Sequence, residues 1–355
     1  MELSEKTFLK FLNEPNLELT ETTELSAEEM GELYIYSALL STIMGFLKEQ
    51  LWLSDKEDLV NNIETTYEEF INKFLLKELK PLGFLEDFLI KSGASEIKTL
   101  KKSSLLIEKK VLSLIMNRSP MEQKTFLIHA LKDMSKKFLK EESDQEGFAQ
   151  NLGHQGLRLY RTFDGLDKIF KLDYQLDLDM DVDYHEKERI YQSGGVGVQS
   201  GYSTILLSLD AIEVKSGDLI VDLGSGYGRV GLVYALLRPD TQSIGYEFVP
   251  HRVQVANEAS ELFELSESLN FKTQDLSLES FKIPEAAVYY MYDPFTEDTY
   301  KYVLDQIVAF SQKRKLTIVT KGNGSKWLDR VASENHWPAP KVLDEGNLCI
   351  YHSSK

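Results

Sequence analysis

Four acidic residues stand where short apolar runs end: Asp222 in "LIVDLGSGYGRVG" (219–231), Glu247 in "SIGYEF", Asp275 in "FKTQDLS" and Asp293 in "YYMYDPF". The first leads into Gly224, Ser225, Gly226 and Gly228, a loop that lets backbone approach a ligand where a Cβ would intrude. A dinucleotide fingerprint, G-x-G-x-x-G, is excluded by spacing, because Arg229 stands where its third glycine belongs. Asp222 would also repel a pyrophosphate, whereas it can accept hydrogen bonds from an ammonium group. The loop therefore suits a nucleoside with a cationic tail and no phosphates. Glu247, at the next strand end, is placed to accept both hydroxyls of a ribose. Asp275, at the one after, is placed to hold the exocyclic amine of an adenine.

The elements that position these residues follow from the apolar rhythm. From about residue 216, runs such as "DLIVDL", "QSIGYEF", "NFKTQD", "AAVYYMYD" and "KLTIVTK" alternate with helical stretches such as "GRVGLVYALLRP" and "EDTYKYVLDQIVAFSQ". That alternation predicts right-handed crossovers and a parallel sheet covered on both faces, with ligands beyond the carboxyl ends of its strands. The closing "KVLDEGNLCIYHS" predicts an antiparallel hairpin. Residues 1–140 instead carry helical periodicity almost throughout, as in "YEEFINKFLLKELK", and predict an all-α domain of five or six helices. Between them, 141–195 is expected to be a linker and cofactor-closing segment. The expected organisation is thus a helical domain over 1–140, that segment, and an α/β domain over 196–355.

The residues "VDLGSGYGRVG", "GYEFVP", "TQDLS" and "MYDPF" resemble the first four motifs of the class I S-adenosylmethionine-dependent methyltransferases. The resemblance covers roughly residues 185–355. It implies a Rossmann-like, doubly wound seven-stranded α/β sheet ending in an antiparallel hairpin, with S-adenosyl-L-methionine as cofactor. It assigns Asp222, Gly224 and Gly226 to the methionine end, Glu247 to the ribose and Asp275 to the adenine, with Ser225 and Gly228 completing the loop. "DLGSGYGR" followed by "GYEFVP" looks most like two branches of protein lysine methyltransferases. One comprises the non-SET histone enzymes related to the disruptor of telomeric silencing. The other comprises the mitochondrial enzymes acting on the nucleotide translocase and ATP synthase. In related enzymes the segment matching "YQSGGVGVQSGYSTI" closes over the cofactor, which implies roles for Gln199, Tyr202 and Ser203; a flexible interdomain linker is the competing reading. Asp293 and Phe295 are expected to face the reacting methyl. "DPF" is similar to the (N/D)-P-P-(F/Y) signature of enzymes acting on amide or adenine nitrogens, but lacks one proline.

Composition narrows the acceptor. A net charge of −17 disfavours nucleic acid and anionic membrane surfaces and attracts a basic protein. Lysine is thus the expected acceptor, ahead of a small metabolite or another protein nitrogen; a non-catalytic binding module is the reading from another class. The single cysteine, Cys349, allows no intramolecular disulfide and no cysteine-based zinc site. A reducing, cytoplasmic setting is expected, and no metal. The apolar stretch 33–47, bracketed by Glu32 and Lys48, is expected to be a buried helix. In "LDLDMDVDY" the alternation of Asp177, Asp179, Asp181 and Asp183 predicts an extended segment with its carboxylates on one face, suited to attracting cations rather than to enclosing one.

Overall fold

A computed structural model of the chain describes residues 3–14, 25–61, 66–72, 80–143, 159–178, 199–344 and 347–354. It divides into two compact units, Met1–Ile169 and Phe170–Lys355.

The first unit is helical, as its periodicity predicts. Its central helix, Ala27–Asn61, packs against Leu3–Asn13, Ile97–Met116 and Pro120–Ser143. Two of these helices begin with a reciprocal cap written in the sequence as S-x-x-E. Ser26 N–H donates to Glu29 Oε2 at 2.8 Å while Glu29 N–H donates to Ser26 Oγ at 3.1 Å, and Ser119 and Glu122 repeat the exchange. Each cap satisfies amide groups that a helix start otherwise leaves bare. The stretch Ala27–Glu49 is long and apolar enough to cross a bilayer, yet 78% of its most apolar window is buried within the chain. Tyr34, Leu39, Leu40 and Met44 form core there with Ile107, Val111, Phe126 and Leu131. Gly31 serves this packing, since a Cβ would sit 3.3 Å from the backbone of Phe126 and Ala130. Residues 159–169 belong to the same unit, where Tyr34 Oη donates to the Phe163 carbonyl at 3.0 Å.

The second unit is the doubly wound α/β sheet. Its strands are β1 (Leu219–Leu223), β2 (Gln242–Glu247), β3 (Leu269–Thr273), β4 (Val288–Tyr292), β5 (Thr317–Lys321), β6 (Lys341–Leu343) and β7 (Leu348–His352). They form one seven-stranded sheet in the order β3-β2-β1-β4-β5-β7-β6. The five strands from β3 to β5 are parallel, and β7 enters antiparallel between β5 and β6. The hairpin expected at the C-terminal end is therefore present, with its outer strand on the sheet edge. Val221, Tyr289, Met291 and Ile318 face a core completed by Tyr300, Val303 and Ile307 of the helix Glu297–Ser311 and by Leu328 and Ala332 of Gly324–Glu334. Strand order reverses between β1 and β4. A crevice must open there, because crossovers leave toward opposite edges.

One expectation is corrected here. Asp177 does not lie on an extended segment: it sits in a helical turn, Gln175–Leu178, with its side chain fully buried. Asp179, Asp181 and Asp183 lie outside the described residues.

Candidate active site

The tips of β1, β2 and β4 surround an open-mouthed cleft, about 760 Å³ when the space open to solvent is counted. Of the residues singled out from sequence, Gln199, Asp222, Gly224, Ser225, Gly226, Glu247 and Phe295 line it. Asp222, in register with Gly245 and Tyr290 on either side, is the last polar residue before β1 ends. The loop behind it is pinned to β2, because the Gly224 and Ser225 amides both donate to the Tyr246 carbonyl at 2.9 Å. Gly224 has φ +86°, and a Cβ there would collide with Cβ of Pro294. Only glycine allows the β1 and β4 tips to meet in this way.

Glu247 is held by backbone. Its Oε2 accepts from Gly226 N–H at 2.9 Å and its Oε1 from Val249 N–H at 3.0 Å. Each oxygen keeps a second lone pair for a ligand. Asp222, by contrast, is pushed up to about 8 by burial and then by the charge of Glu247. A carboxyl so raised is a poor place for an anion and a good one for a cation, which would restore its ionisation.

Two arginines that the motif reading passed over also line the cleft. Arg229 is 1% exposed, donates from Nη1 to the Ser200 carbonyl at 2.9 Å, and lies 4.6 Å above the Tyr202 ring. Arg252 reaches within 3.6 Å of Glu247 from the helix Pro250–Leu262. The signal for the first was available, since an arginine inside "GRVGLVYALL" must either leave the apolar helix face or be bonded within it.

Five of the remaining residues have other surroundings. Gly228, at φ +79°, starts the helix Arg229–Leu237, and a Cβ would lie 2.6 Å from Phe271 and 2.8 Å from Ala256. Tyr202 opens the helix Tyr202–Ala211 instead of sitting in a loop; its ring stacks on Phe170 and supports Arg229. Ser203 is buried in the same helix. Asp275 lies two residues past β3 and uses Oδ1 to accept from Ser277 N–H at 2.9 Å and Ser277 Oγ at 2.6 Å; its neighbour Leu276 reaches the cleft. Asp293 follows β4 at φ +41°, outside the cleft lining, with Asn323 Nδ2 donating to its Oδ2 at 3.1 Å. Among the described residues no group of histidine, cysteine or acidic side chains could hold a metal ion.

One side of the wall is mainly aromatic, with Tyr290, Tyr292 and Phe295 joined by Pro294 beside Asp222. Ser200 Oγ and Tyr290 Oη are 3.1 Å apart, and Phe295 is braced edge-on by Tyr300 at 5.2 Å. The arrangement can thus bind a cation and a pair of hydroxyls next to an apolar slot.

No family model matches the chain, and no curated protein matches it. Solved structures similar to it include an RNA methyltransferase from Salinibacter ruber in complex with S-adenosyl-L-homocysteine, at 18% identity over 44% of this chain and 92% of that one, with a TM-score of 0.34. Precorrin-6Y C5,15-methyltransferase from Geobacter metallireducens matches at 12% identity over 44% of this chain and 90% of that one, TM-score 0.35. TrmN from Thermus thermophilus matches at 16% identity over 44% and 49%, TM-score 0.34.

Proposed function

We propose that the Phe170–Lys355 unit binds S-adenosylmethionine in this cleft and transfers its methyl group to an amine, that of a lysine in a basic protein. The observation that carries the reading is Glu247: both its oxygens are fixed by backbone amides, at 2.9 and 3.0 Å, with lone pairs left for a vicinal diol. Two further features fit the cofactor. A Cβ at Gly224 would strike Pro294 and one at Gly226 would strike Gln199, so glycine is what lets this loop pack tightly at the cleft, and the buried Asp222 awaits a cation. When bound, the cofactor supplies an electrophilic methyl on a sulfonium. The protein then has to position the two partners and exclude water.

For a lysine acceptor the chain must also favour the neutral amine. From a reference pKa near 10.4, deprotonation at pH 7 costs about 4.6 kcal/mol. The walls of Tyr290, Tyr292, Pro294 and Phe295 lower that cost by excluding water from the ammonium. The net charge of −17 supports recruitment of a basic chain from a distance.

The test is transfer of a labelled methyl group from S-adenosylmethionine into a cell lysate, followed by hydrolysis. Label recovered as methyl-lysine is the expected result. Label in small molecules or in other protein nitrogens refutes the acceptor while keeping the chemistry, and binding without any transfer refutes the activity.

A further inference from the structure

Arg252 lines the cleft beside Glu247 yet is turned away from it. Its Nε donates to Asp177 Oδ1 at 3.0 Å and its Nη2 to Asp177 Oδ2 at 3.1 Å, a side-on pair. Its Nη1 is left 3.6 Å from Glu247 Oε1, beyond hydrogen-bond reach. The pair is enclosed: Asp177 has a side-chain exposure of 0% and Arg252 of 7%. His251 Nε2 lies 2.8 Å from the same Asp177 Oδ1, so the carboxylate is gripped from two sides.

This geometry has a consequence for the ligand. A guanidinium offers its donors as a rigid fork, and one edge of that fork is committed to Asp177. Remove that carboxylate's charge, and the nearest anion left to Arg252 is Glu247. A shift of about 0.7–0.9 Å would turn the 3.6 Å approach into a charge-assisted hydrogen bond. Glu247 Oε1 would then accept from Val249 and from Arg252, and its lone pairs would be spent. Its Oε2, held by Gly226, could still take one hydroxyl but not two.

We propose that Asp177 is a positioning residue for ligand selection, which by holding Arg252 side-on reserves Glu247 for the two hydroxyls of a ribose. It touches no ligand itself. The inference rests on the reading of the cleft as a nucleoside site.

Calorimetric titration of the full chain with S-adenosylhomocysteine and with its 2′-deoxy counterpart tests it. The wild type is expected to favour the hydroxylated ligand by about tenfold, the worth of one charge-assisted hydrogen bond. In Asp177→Asn that ratio is expected to fall to about twofold or less, because Arg252 now occupies Glu247. Adding Arg252→Gln to Asp177→Asn removes the competitor and is expected to bring the ratio back. A merely structural role would weaken both ligands alike; an unchanged ratio in a variant whose circular dichroism is native overturns the inference. So does a double variant that stays at the collapsed ratio, since Arg252 is then not the agent. Should Asp177→Asn not fold, Asp177→Glu, which moves the charge by one methylene, is expected to lower the ratio by a smaller factor, and no change refutes the role. A wild type that binds neither ligand refutes the nucleoside site itself, and the inference with it; a wild type with a ratio of one refutes Glu247 as its ribose acceptor.

Discussion

Asp222 gives the sharpest quantitative handle on the cleft. With its carboxyl pushed up to about 8 by burial and by Glu247, about nine-tenths of the molecules carry a proton there at pH 7. An incoming ammonium restores the ionised form, so binding at pH 7 must expel about 0.9 proton. Ionising the group beforehand costs about 1.4 kcal/mol, one unit of pKa. If only the ionised form binds, the apparent affinity rises about fivefold from pH 7 to 8 and levels off near pH 9. Calorimetry with S-adenosylhomocysteine in buffers of different ionisation enthalpy reads the proton count directly as a slope. Asp222→Asn removes the titrating group, and its slope is expected near zero with much weaker binding. The sign for stability runs the other way. The folded chain holds this proton more tightly than the unfolded one, so the free chain loses stability as pH rises from about 4 to 8. Asp222→Asn is therefore expected to melt higher than wild type at pH 8 while binding worse. A wild-type slope of zero at pH 7, or equal slopes in the two proteins, would refute the reasoning.

Glu247→Gln exchanges an acceptor oxygen for an amide that faces backbone N–H, and is expected to weaken nucleoside binding by roughly 10- to 100-fold and to cost about 1–3 kcal/mol of stability; titration and thermal melts check it. Gly228→Ala forces a Cβ against Phe271 and Ala256 at φ +79°, so a loss on the order of 1–3 kcal/mol is expected in urea unfolding. Ser26→Ala removes one half of a reciprocal cap and is expected to cost about 1 kcal/mol, seen as faster amide exchange over the first turn of Ala27–Asn61 without effect on ligand binding.

Much of the α/β unit was legible because its signals are local and repeated. β1, β4 and β5 are short runs of mostly apolar, β-branched or aromatic residues, β2 and β3 alternate such residues with polar ones, and glycines at 224, 226 and 228 can follow a run like β1 for few purposes. Glu247 was readable from its place at a strand end. Its neighbours were not: nothing in a period-two row of aspartates distinguishes a strand from a helical turn when the deciding partner, Arg252, is 75 positions away. Asp275 shows a different limit. Ser277, two residues on, offers a local hydrogen-bonded turn that engages one carboxylate oxygen within its own loop. The glycine-rich sequence before Tyr202 suggests a closing segment or a linker, whereas its own segment, "YSTILLSLDA", carries enough apolar residues to form a buried helix.

The near-contact of Gly224 with Pro294 ties the fate of two recognition tasks together. Because one strand tip rests on the other, the glycine loop and the wall of the apolar slot form a single piece of floor. Widening the slot by rebuilding 293–295 would therefore disturb whatever the glycine loop holds as well. A change in what the slot admits would have to proceed by paired changes at both tips.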